Sequence, residues 1–222
     1  MKLPQCTLLL LVAALSSSAS FAHKRWLLPT DFTLSEAETV TVDFTASNNI
    51  FYVDKGMPLG MVQVTTPTGA ATPLLNPQEG ERRSSFDINI EEAGTYTLAA
   101  GGAPIYFVAY NLPGESERVH QRGTLAGLKA KLPEAATDIE FSESHGLIET
   151  FVTLGSESAP ITGNNSTGLR LQLLESHPNA LYTDEPAQFG FLLNGDPAVG
   201  LAVEVLADGS RYRDTQDAQT YV

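Results

Sequence analysis

Phe86-Asp87-Ile88-Asn89-Ile90-Glu91-Glu92-Ala93-Gly94-Thr95-Tyr96 decides the fold class. The first five residues alternate apolar and polar, the period of a strand with one face buried. Glu91 to Gly94 then supply turn chemistry, and Thr95-Tyr96 opens a second strand. An acidic residue, a glycine and a tyrosine at this spacing are similar to a tyrosine corner, in which a phenol hydroxyl ties back to the preceding turn of a β-sandwich. The motif speaks to fold and not to a site.

Working outward, the same short-period pattern recurs on both sides. Strands are expected at Arg25 to Leu28, Thr39 to Thr45, Met61 to Thr66, Thr95 to Ala99 and Ile105 to Tyr110. Later ones are expected at Glu149 to Leu154, Leu169 to Leu174, Gln188 to Leu193 and Ala202 to Ala207. Gly, Pro, Asn and Asp separate them, a spacing that suits antiparallel sandwiches and not alternating βαβ units. One helix is predicted over Leu125 to Lys131, capped by Thr124 and stopped by Pro133. The chain therefore reads as all-β, with two immunoglobulin-like β-sandwich domains. The first covers residues 23–154, a linker rich in Ser, Gly, Pro and Asn covers 155–168, and the second covers 169–222. The second has only three or four expected strands where such a sandwich needs about seven, so it is expected to be incomplete, a truncated version of a longer domain.

Residues 1–22 are a signal peptide in composition. Met1-Lys2 gives a positive start, an apolar run follows from Cys6 to Leu15, and Ser20-Phe21-Ala22 offers small residues at the cleavage site. Cleavage after Ala22 leaves a chain that begins at His23, exported to the periplasm and without a membrane-spanning segment. Cys6 is the only cysteine, so neither disulfides nor thiolate ligands are expected in the exported chain. The formal net charge is −13, and Lys2, the leader's one charged residue, carries the balance further negative when it is lost. With no basic cluster, nucleic acid and anionic lipid are poor partners.

Four histidines carry the candidate chemistry. An N-terminal His23 offers an α-amine and an imidazole nitrogen that can close one chelate ring. Nitrogen donors of this kind suit nickel, cobalt, copper or zinc. His177, in Glu175-Ser176-His177-Pro178-Asn179, follows a strand and is backed by a proline. His145, in Glu143-Ser144-His145-Gly146, precedes a strand and has acidic neighbours. His120 reads as ordinary surface. No HExxH or HxH spacing links them, so any site is assembled from distant segments. Asp54 and Met57 offer an oxygen and a thioether, but a capped turn with a packed methionine is the favoured reading of that stretch. GxSxG, P-loop, GxGxxG and a cysteine nucleophile are all missing, so no enzyme is indicated. A copper brace of the kind found in oxidative polysaccharide-cleaving enzymes ranks last, because no flat aromatic face accompanies the histidines.

Ala22-His23-Lys24-Arg25-Trp26-Leu27-Leu28-Pro29 resembles the mature start of a bacterial family of unknown function described as periplasmic components of cobalt/nickel-type transport systems. Ser47-Asn48-Asn49-Ile50-Phe51-Tyr52, Met57-Pro58-Leu59, Glu149 to Gly155, His177-Pro178-Asn179, Glu185-Pro186-Ala187 and Phe191 to Ala198 extend the likeness over most of the exported chain. The resemblance implies a metal at His23 and His177, nickel or cobalt as cargo, and a membrane metal transporter as partner. His145 is the further candidate for the shell. The competing expectation is a metal-independent module that binds a glycan or a partner protein.

Overall fold

The computed structural model describes residues 24–101, 104–159, 168–173, 177–182, 184–207, 209, 212 and 218–222. The expected leader and His23 lie outside the described residues. The described chain is all-β. In order, it contains β1 (Lys24–Pro29), β2 (Thr33–Leu34), β3 (Glu38–Ser47), β4 (Lys55–Gly56), β5 (Val62–Thr65), β6 (Ala71–Thr72), β7 (Leu75–Glu79) and β8 (Ser84–Ile90). Then come β9 (Gly94–Gly101), β10 (Ile105–Asn111), β11 (Val119–Gly123), α1 (Leu125–Lys131), β12 (Thr137–Ser144) and β13 (Leu147–Leu154). The last elements are β14 (Leu169–Leu173), β15 (Phe189–Leu193), β16 (Asp196–Pro197), β17 (Val203–Val205) and β18 (Gln219–Tyr221).

Two five-stranded sheets face each other. One runs β1-β3-β8-β7 with β4 beside β3, and the other runs β2-β13-β9-β5-β6. Period-two alternation builds the core between them. Val40, Val42 and Phe44 of β3 and Phe86, Ile88 and Ile90 of β8 point inward from the first sheet. Tyr96, Leu98 and Ala100 of β9 and Val152 and Leu154 of β13 meet them from the second. Each fully buried large side chain contributes roughly 1.5–3 kcal/mol. On the solvent side of the first sheet, polar pairs such as Thr41–Asp87 at 2.6 Å replace apolar ones.

The turn from β8 to β9 has the tyrosine-corner geometry. The Tyr96 hydroxyl oxygen accepts the backbone N–H groups of Glu91 at 3.1 Å and Glu92 at 2.9 Å. Gly94 enters β9 at φ +121, and a Cβ there would lie 2.7 Å from the Ser158 hydroxyl and 2.9 Å from Pro67. No other residue type fits without displacing the chain.

Beyond Gly101 the paired strands continue into an arm, the three-stranded sheet β11-β10-β12. Helix α1 lies on it with Leu128 buried against Val108 and Tyr110. The Thr124 hydroxyl caps the helix by accepting from Gly127 N at 3.1 Å, as its sequence predicts. His120, read from sequence as ordinary surface, lies on β11, a strand formed by pairing with β10.

The C-terminal strands form a sheet β14-β15-β16 and a ribbon β17-β18. Of the expected linker 155–168, residues 160–167 lie outside the described residues. Its opening is tied to the sandwich: Gly155 N donates to Leu34 O at 2.8 Å, and Ser158 N donates to the Thr95 hydroxyl at 3.1 Å.

Candidate functional site

His177 sits at one end of the sandwich, against the outer face of β9 and β13. Its Nε2 lies 3.2 Å from the Ser158 carbonyl oxygen and 3.2 Å from the Thr95 hydroxyl. Its Nδ1 accepts the Asn179 backbone N–H at 3.1 Å. A carbonyl only accepts, so the pattern is that of the ring with its proton on Nε2. Both nitrogens are committed to protein partners. A metal ion at His177 would have to displace one of these bonds.

Asn179 completes the clip. Its side-chain amide donates to Phe32 O at 2.9 Å, to Phe151 O at 3.0 Å and to the Thr153 hydroxyl at 3.1 Å. Thr153 and Thr95 are themselves joined at 3.0 Å. The His-Pro-Asn segment therefore fastens the C-terminal region to the edge where β2 runs parallel to β13. Asn179 has no place among the sequence candidates. The signal available for it was an amide two residues after a histidine, a common local hydrogen-bonding arrangement.

His145 occupies the opposite end. It lies between β12 and β13, just ahead of Leu147, whereas His177 meets Thr95, the partner of Thr153. The extended path from Leu147 to Thr153, at about 3.3 Å per residue, spans roughly 20 Å. Metal–imidazole bonds are only about 2.0–2.1 Å long. His145 and His177 therefore do not share one coordination shell. Among the described residues no group of three or more His, Cys, Asp or Glu converges on a point that would hold a metal.

The His145 end has its own electrostatics. His145 Nε2 is 3.1 Å from Glu143 Oε1, with both side chains partly exposed. That hydrogen bond, and a weaker one from Tyr106, hold the Glu143 carboxyl below its usual range against the opposing effect of burial. The guanidinium of Arg25 lies over Gly146, so that a Cβ on the glycine would fall 2.6 Å from Nη2. On the other flank Gly168 packs against the His145 ring. The start of β1 is thus beside the Glu143–His145 turn. His120 lies on exposed β11 opposite Ala109. Asp54 makes a 3.8 Å ion pair with Arg82, and Met57 packs on the core.

Between the outer face of β13 and the C-terminal strands lies a cleft of about 620 Å³. Phe32, Phe151, Phe189, Phe191 and Val205 line it, and among the described residues Glu149 is its one ionisable wall. Burial raises the Glu149 carboxyl above its usual range, an effect that Arg170 only partly opposes. The cleft was not foreseen from sequence, because it exists only where separate segments meet.

Fold and site together define an all-β sandwich protein with a histidine–carboxylate turn at one end and an apolar cleft on its flank. The chain belongs to the family of the domain of unknown function DUF4198, which matches residues 20–221. No curated protein and no solved structure matches the chain.

Proposed function

We propose that the protein is a periplasmic transition-metal-binding protein that captures nickel or cobalt and supports its uptake through a membrane transporter. The observation that carries this reading is the neighbourhood of Arg25 and Gly146. It sets the start of β1 beside His145, and His23 directly precedes Lys24 in the sequence. After export, the amine and ring of His23 supply one chelate, and His145 supplies a further imidazole. Glu143 acts as the carboxylate that orients a ligating histidine, as metal sites commonly require. His177 drops out of the shell because its two nitrogens hold the clip.

The reading is tested by purifying the protein from a periplasm grown with nickel and cobalt and counting bound metal per chain. Stoichiometric metal that is lost in His145→Ala supports it. A metal-free protein that also shows no calorimetric nickel or cobalt binding refutes it.

The aromatic cleft favours a second reading, a metal-independent module that binds a partner protein or a glycan. Its mark is a melting temperature that neither chelators nor nickel shift.

A further inference from the structure

The arm ends in an unusual edge. All residues of β12 are exposed, and among the described residues the strand pairs with β10 alone. Such an edge presents a row of backbone donors and acceptors ready to pair with another strand. Side chains on its two faces differ. Ile139 and Phe141 are 43% and 37% exposed, and they lie on the face where Phe141 is registered with Val108. Helix α1 covers that face over β10 and β11 through Leu128, Val108 and Tyr110, a cluster that Ile139 and Phe141 of β12 do not join. The opposite face carries Asp138 and Glu140, both held by Arg118 at 3.2 Å.

We infer that β12 pairs antiparallel with β12 of a second copy of this chain, in the register that sets Phe141 against its own counterpart. This inference is independent of the metal reading. A two-fold axis through Phe141 places Glu140 opposite Ser142, Ile139 opposite Glu143 and Asp138 opposite Ser144, so no two like charges meet. Moving the axis to Glu140 sets two glutamates face to face, which is unfavourable, and moving it to Ser142 parts the two Phe141 rings and sets each against Glu143. The chosen register also solves the packing problem. The axis is perpendicular to the joined sheet, so both α1 helices lie on one face. The Ile139–Phe141 pairs of the two copies then fill the trough between the helices. Arg118 is what lets two acidic chains approach at this edge. The contact is isologous and closes at two copies.

The test uses the full chain with Cys6→Ser, so that an introduced cysteine is the only thiol. Sedimentation velocity should show a concentration-dependent dimer, strengthened by salt because the chain is strongly acidic. Phe141→Cys should cross-link to itself under mild oxidation, since directly opposed residues lie within disulfide reach. Ser142→Cys should cross-link at least about tenfold more slowly. Phe141→Glu should give a monomer with an unchanged circular dichroism spectrum, which separates dissociation from unfolding. A monomer at all concentrations, a dimer that survives Phe141→Glu, or cross-linking through position 142 in place of 141 would overturn the inference.

Discussion

The His177 ring and the Thr95 hydroxyl meet at 3.2 Å across the outer face of the sandwich. Around this contact Thr153, Ser158 and Asn179 close a polar network that joins three segments distant in sequence. A histidine at a loop start, followed by proline, would suit either a ligand or a clip. The geometry here is that of a clip, with each ring nitrogen already partnered.

Removing that clip should therefore cost stability and leave metal binding alone. Asn179→Ala leaves the carbonyls of Phe32 and Phe151 without their side-chain donor, and His177→Ala strips the Ser158 carbonyl of one partner. Each change should lower the unfolding free energy by about 1–3 kcal/mol. Urea denaturation measures this. Nickel affinity by calorimetry should stay within twofold of the parent, and a large loss in His177→Ala would return that residue to the metal shell.

Tyr96→Phe isolates the corner. The ring remains in the core, while the N–H groups of Glu91 and Glu92 lose their common acceptor. The expected loss is about 1–2 kcal/mol, seen as a lower denaturant midpoint at unchanged slope. A midpoint equal to the parent's would mean that water replaces the phenol at no cost.

Glu149 gives a pH-dependent test. Its ordinary pKa is 4.5, and burial raises it in the folded chain. The folded state thus holds the proton more tightly than the unfolded state. Its contribution is full below pH 4.5 and is lost as pH rises through the folded value. Glu149→Gln should accordingly raise the melting temperature at pH 7, and the advantage should vanish below pH 4.5. An advantage that persists or grows in acid would reverse the assigned cause.

Much of the sandwich was legible because alternation and burial obey the same period. Val40-Val42-Phe44 and Phe86-Ile88-Ile90 could be read as inward rows before any register was known, and the Thr124–Pro133 punctuation marked α1 at both ends. β11 and β12 were not read as strands. Val119 to Gly123 has no apolar alternation, so it is a strand through its pairing with β10 more than through its own pattern, whereas Asp138 to Ser142 alternates polar and apolar as a strand does and was passed over. Two-residue strands such as β2 and β4 exist only through tertiary pairing. The histidines show the same division. Sequence identified the residue types, but only folding reveals that His145 and His177 stand at opposite ends of β13.

The metal reading is tested most directly by nickel titration of correctly processed protein beside two variants, His145→Ala and one carrying an extra alanine ahead of His23. Loss of even an outer hydrogen-bond partner typically weakens a metal site 10–100-fold, so loss of a ligand or of the chelate should cost at least about tenfold. The account predicts one ion per chain in the parent and that weakening in both variants. Equal affinity in all three proteins would contradict it.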